Sequence, residues 1–199
     1  MTHRMIDRLN QGLRKVPIWL LYLLGDLYPG WLLYLGLTGG LGPDPVKALE
    51  HALGEAALQL LILGLAVTPL RRFLGLNLLK FRRSVGVLAF TYVALHLLVW
   101  LLLDVQILSQ VFNDIIKRPY ITIGMVGFAL MLPLALTSNN LSLRRLGAAR
   151  WRRLHLLTYP AVLLAALHFV MLVKGFQIEP LIYLSVVLFL LLCRIRVVG

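Results

Sequence analysis

The amino-acid sequence predicts an all-α membrane protein: a six-transmembrane-helix bundle with both termini cytoplasmic. Three observations predict it. Of the 199 residues, 60% are hydrophobic and only 14% charged, a balance foreign to soluble domains. The apolar residues gather in six runs of about bilayer-spanning length. The basic residues fall in alternate connections between those runs, which is the asymmetry that orients helical membrane proteins.

Taken in order, residues 1–15 form a cytoplasmic N-terminal segment carrying Arg4, Arg8, Arg14 and Lys15. Residues 16–199 form the transmembrane domain. Val16–Leu37 is the first apolar run, too long for a signal-peptide core and without a convincing cleavage site, so it is expected to be retained. Asp26, beside Pro29 and Gly30, sits deep in that run. A proton or quinone contact is one reading; a polar group facing water or a neighbouring helix is the more ordinary one. Residues 38–50 form a loop punctuated by Gly and Pro. The second run, Ala52–Leu70, ends in a basic connection holding Arg71, Arg72, Lys80, Arg82 and Arg83. Ser84–Leu103 is the third run, and a mixed-charge loop follows to residue 119. Tyr120–Thr137 is the fourth, Trp151–Gly175 the fifth, and Ile178–Cys193 a short sixth that Arg194 and Arg196 extend by snorkelling.

With the N-terminus inside, sixteen basic residues face the cytoplasm. Four, Lys47, Lys117, Arg118 and Lys174, face outward. The formal net charge of +12 therefore points to lipid headgroups and not to nucleic acid. The lone Cys193 excludes an intrachain disulfide and a cysteine-based metal cluster.

Orientation sets the depth of the histidines. His96 lies thirteen positions past Arg83 and His168 fifteen past Arg153, both on helices running outward. At about 1.5 Å per residue they reach similar depth in the outer half. An ionisable group at that depth is a functional-site candidate by default, and imidazole is a standard axial ligand of haem iron. The matched pair is expected to clamp one haem; hydrogen bonding to neighbouring helices is the alternative. His51, at the outer mouth of the second helix, is open as a ligand, a propionate partner or an interfacial residue. His155 lies at the inner end, where a second haem would need a ligand on the third helix. Arg82 and Arg83 stand there instead, fit to pair with a propionate. Pro160, between His155 and His168, is placed to kink or unwind the helix. No dinucleotide fingerprint or nucleophile–base constellation is present, so any haem would carry electrons between partners.

The segments GGLGPDPVKALEH, ALHLL, KRPYITIGMVGFALMLPLALTS, LGAARWRRLHLLTYP and LHFV resemble the bacterial MsrQ (formerly YedZ) family of the ferric-reductase-like transmembrane group. The resemblance spans roughly residues 16–193, and its RPYxTxG and RWxxLH elements are the specific ones. It implies a haem b protein of the bacterial inner membrane that supplies electrons to a periplasmic molybdenum-containing methionine sulfoxide reductase, MsrP. Electrons would come from the quinone pool; some members are described with FMN and a cytosolic flavin reductase. By position, His96 and His168 match the haem ligands and His155 a third haem-associated histidine. Two rivals stay open: a self-standing ferric or quinone reductase, and a non-redox transporter or scaffold.

Overall fold

A computed structural model of the chain describes residues 2–173 and 177–194. Lys174 and Arg196, two of the residues in the charge count, lie outside them. The described residues are helical, with no strand. The helices are α1 (Thr2–Lys15), α2 (Ile18–Thr38), α3 (Pro45–Leu74), α4 (Arg82–Val99), α5 (Leu108–Lys117), α6 (Pro119–Leu136), α7 (Asn140–Leu154), α8 (Thr158–Leu172) and α9 (Ile178–Leu192).

Five helical stretches are long and apolar enough to cross a membrane: Ile18–Thr38, Pro45–Leu74, Leu79–Val105, Pro119–Leu136 and Asn140–Leu172. Ile178–Leu192 is a shorter apolar helix. The chain is thus a multi-pass membrane protein. The apolar runs locate these elements but understate them. Helix α3 starts at Pro45, inside the stretch expected to be a loop. Pro45 takes the first helical position and the Asp44 carboxylate accepts from the Lys47 amide at 3.3 Å. The expected loop 104–119 is also largely helical. Helix α4 relaxes into a π-helical stretch, Trp100–Val105, which ends at Gln106 (φ 59°). Helix α5 then follows as a short amphipathic helix with Leu108, Phe112 and Ile116 exposed along one side. Such a helix suits the interface plane, where hydropathy alone does not find it.

The core is built from small residues that let backbones approach, as membrane bundles require. Ala89 of α4 and Ala161, Val162 and Ala166 of α8 are almost wholly buried. They pack with Leu58, Leu61 and Leu65 of α3, Met131 of α6, and Val187 and Leu190 of α9. A second cluster joins Leu32 of α2 to Leu49, Leu53 and Ala57 of α3 and Tyr92 of α4.

Prolines inside these helices leave backbone carbonyls without their usual donor four residues on, and at Pro29 and Pro69 a side chain supplies it. Pro29 leaves the Gly25 carbonyl free, and the Tyr92 hydroxyl donates to it. Pro69 leaves the Leu65 carbonyl free, and Arg194 Nη2 donates to it at 2.7 Å. Pro160, the third residue of α8, follows a 3₁₀ turn, His155–Leu157. In lipid no water replaces a missing donor, so these side chains hold the bent helices in place.

Hydrogen bonds also gather the basic connections at one end. Asn10 Nδ2 donates to the Gly75 carbonyl at 3.0 Å, and Lys80 Nζ to the carbonyls of Arg14 and Val16 at 2.8 and 2.7 Å. Arg83 holds Asn140 Oδ1 with both terminal nitrogens, at 2.8 and 2.7 Å. The N-terminal helix, the α3–α4 connection and the α6–α7 connection therefore share one end of the bundle, the basic end.

Tyr92→Phe is expected to lower stability in detergent by about 1–3 kcal/mol, the cost of an unmet buried carbonyl. Pro29→Ala restores the helical donor to Gly25 and should recover much of that loss in the double variant. Thermal unfolding of the four proteins of the cycle checks the coupling.

Candidate haem-binding site

Helices α4 and α8 bring His96 and His168 together near the end opposite the basic one, with ring centres 6.3 Å apart and planes at 79°. Each imidazole is held the same way. His96 Nδ1 lies 2.9 Å from the Glu50 carbonyl on α3, and His168 Nδ1 lies 2.7 Å from the Tyr120 carbonyl on α6. A carbonyl oxygen only accepts, so both Nδ1 atoms carry the proton and both Nε2 atoms keep a free lone pair. That is the tautomer a metal-ligating histidine needs, with its second nitrogen fixed by a carbonyl.

A glycine lies four residues beyond each accepting carbonyl. A Cβ on Gly54 would stand 3.1 Å from His96 Nδ1, and one on Gly124 would stand 2.9 Å from His168 Nδ1. Each imidazole thus lies over a bare stretch of the neighbouring helix and reaches the carbonyl one turn back. The same device, Glu50/Gly54 on α3 and Tyr120/Gly124 on α6, serves both histidines. Sequence reasoning identified both histidines but missed the two glycines. The available signal was the shared spacing of EHALG (50–54) and YITIG (120–124). Gly124 and Tyr120 are also the last and third letters of the RPYxTxG element.

The spacing fits a bis-imidazole metal centre. A metal–imidazole bond is about 2.0 Å, and the ring centre lies about 1 Å behind the bonding nitrogen. Two rings on opposite faces of one iron therefore have centres roughly 6 Å apart. No group of three or more His, Cys, Asp or Glu residues that could hold a metal ion occurs among the described residues. Two neutral nitrogen donors in apolar surroundings suit an iron whose other ligands come from a macrocycle.

His155 has a different setting. Its ring stacks on Trp151, with centres 3.7 Å apart, and its Nε2 lies 3.2 Å from Thr137 Oγ1. The single Thr137 hydroxyl proton has a closer acceptor in the Pro133 carbonyl at 2.6 Å. His155 Nε2 is then the donor, the tautomer opposite to that of the pair. Trp151 Nε1 donates to the Thr137 carbonyl at 2.8 Å, so the RWxxLH element ties α7 and α8 to the end of α6. Arg82 and Arg83 open α4 at the basic end, and both are exposed. Arg194 reaches the same end, with Nη1 donating to the Tyr159 hydroxyl at 3.0 Å. Its Nε is the buried side-chain nitrogen without a partner among the described residues.

His51 is exposed at the start of α3, one residue after the carbonyl that holds His96. Asp26 is exposed on α2. The ion pairs among the described residues, Lys47–Asp44 at 3.1 Å and Arg118–Asp114 at 3.2 Å, lie at or before the starts of α3 and α6, the helices whose carbonyls accept from the two imidazoles. The Lys47 ammonium and amide hold the Asp44 carboxyl below its ordinary range.

The family described as "Ferric reductase like transmembrane component" matches residues 53–166, more than half of the chain. The proteins named "Protein-methionine-sulfoxide reductase heme-binding subunit MsrQ" from Brucella ovis, Brucella suis and Brucella melitensis are each 51% identical over 179 residues. The match covers 89% of this chain and 81% of each relative. Two inward histidines held alike, on a ferric-reductase-like scaffold with relatives this near, place the chain in the MsrQ family of haem-binding membrane subunits.

Proposed function

We propose that this chain is a haem b subunit of the bacterial inner membrane. In this reading it passes electrons to a periplasmic molybdoenzyme of the MsrP type, which repairs oxidised methionine in proteins. The observation that carries the reading is the pair of Nδ1-protonated histidines at bis-ligand spacing. The relatives' printed name, a heme-binding subunit of a methionine sulfoxide reductase, supports it.

In this account α9 completes six spans and the basic end faces the cytoplasm, with the N-terminal segment, residues 1–15, and the C-terminus on that side. His96 and His168 hold the haem in the outer half, close to the partner, and their carbonyl partners keep both Nε2 atoms aimed and basic. The haem supplies a one-electron carrier whose potential the protein tunes through ligands and burial. Arg82 and Arg83 offer charge to a propionate or to the phosphate of an FMN at the basic end. A second haem on His155 would require Thr137 to give up that nitrogen, so one haem is the expected number. His51 serves outside the iron's coordination. The 39–44 turn and the α5 region, with their acidic residues, form the face for the periplasmic enzyme. The donor is the quinone pool or a cytosolic flavin reductase.

The test is a reduced-minus-oxidised absorption spectrum of the purified protein with haem quantified. A b-type spectrum at one haem per chain is expected. His96→Ala or His168→Ala should abolish it, with partial return on adding imidazole, whereas His51→Ala should retain it. A colourless wild type after haem supply contradicts the reading. Gly124→Ala and Gly54→Ala should each weaken haem retention by about 10–100-fold, as for other lost second-layer supports. Gly124→Ala should do so more, because its added carbon would stand closer to the ring. Haem titration of the apoproteins checks the order.

A further inference from the structure

Midway along α3 the chain holds polar groups that haem ligation does not use. Gln59 Nε2 donates to Glu55 Oε1 at 2.9 Å and to the Tyr183 hydroxyl oxygen at 2.8 Å. The Tyr183 hydroxyl donates to the same Glu55 oxygen at 2.9 Å. Glu55 and Gln59 stand one turn apart on α3, and Tyr183 belongs to α9. A polar knot serving only to fasten two helices would be buried between them. Here Gln59 is exposed on the outside of the bundle, within an apolar span. Glu55 Oε2 and Gln59 Oε1 accept no hydrogen bond from the described residues. A polar side chain opening toward lipid is costly and needs a purpose.

The cluster adjoins the histidine pair through both of its neighbours. Glu55 directly follows Gly54, which faces His96. Phe169 directly follows His168, and its ring centre lies 5.7 Å from that of Tyr183. His51 stands one turn from Glu55 on the same face of α3, toward the end opposite the basic one, and is exposed.

We propose, on the reading that the histidine pair carries a haem, that Glu55, Gln59 and Tyr183 bind a membrane-soluble hydroquinone and receive its protons. A donor reaching this depth from the lipid must be apolar, which excludes phosphate-bearing flavins and nicotinamides. A carboxylate with a free oxygen beside a one-electron carrier suits a donor that loses a proton with each electron. Oxidation of the hydroquinone to the quinone breaks two O–H bonds and releases two electrons and two protons. A haem held by His96 and His168 would supply the one-electron acceptor for both. Each proton passes to Glu55 and then, by way of His51, to water. Gln59 and Tyr183 hold the hydroxyl and keep Glu55 oriented.

The test is anaerobic stopped-flow reduction of the purified haem protein by decylubiquinol, with dithionite giving the full-reduction endpoint. Wild type should be reduced. Glu55→Gln should slow the reaction about a hundredfold, the range of a lost proton acceptor. Gln59→Leu should slow it about tenfold, with haem content and the dithionite spectrum unchanged in both. Ser185→Ala, an exposed site on α9 bonded only to its own helix, should match wild type. If Glu55→Gln loses haem, the lipid-facing Gln59→Leu decides. No reduction of wild type by decylubiquinol, or wild-type rates in Gln59→Leu, overturns the proposal while a dithionite-reducible b-type spectrum leaves the haem reading standing. Absence of haem from wild type overturns both.

Discussion

A backbone carbonyl in the middle of a membrane must find its donor within the protein, and this chain puts its carbonyls to two uses. Where prolines strip a carbonyl of its helical donor, Tyr92 and Arg194 provide one and so fix how α2 meets α4 and how α9 meets α3. Where a glycine bares the helix surface, a carbonyl that already has its helical partner takes a second donor from an imidazole. The same chemical group thus holds the scaffold together and sets the protonation of the two histidines.

The second use explains why the histidines are fit for iron. A neutral imidazole has one donor and one acceptor nitrogen, and whichever is engaged decides what the other offers. Binding Nδ1–H to a carbonyl on the neighbouring helix leaves Nε2 as a lone pair with its direction set. His155, built from the same side chain thirteen residues away on the same span, meets a hydroxyl and an indole instead and presents the reverse tautomer. The two settings differ by their partners alone.

Much of this was legible in the sequence, and what was not has physical reasons. The paired depth of His96 and His168 follows from counting residues from Arg83 and Arg153, because helical rise is constant. The spans were found but cut short: α3 runs from Pro45 to Leu74, since polar residues such as Lys47 and Arg71 continue a helix beyond the apolar slab. Helix α5 was hidden in a stretch expected to be a loop, because an interfacial helix is amphipathic and has no long apolar run. Gly54 and Gly124 were passed over because a glycine matters through what approaches it, and that depends on which helices are neighbours. Tyr183 was equally unreadable as a partner of Glu55, being 128 residues away. The Gln59–Glu55 spacing of four was the one local hint.

The central claim is that His96 and His168 ligate one iron with their planes nearly perpendicular. Electron paramagnetic resonance of the oxidised, purified protein tests it most directly. Two imidazoles crossed at 79° predict a low-spin ferric signal of the strongly anisotropic kind, lost together with the haem in His96→Ala and in His168→Ala. A high-spin signal from five-coordinate iron, or a rhombic low-spin signal that survives either substitution, would contradict the account.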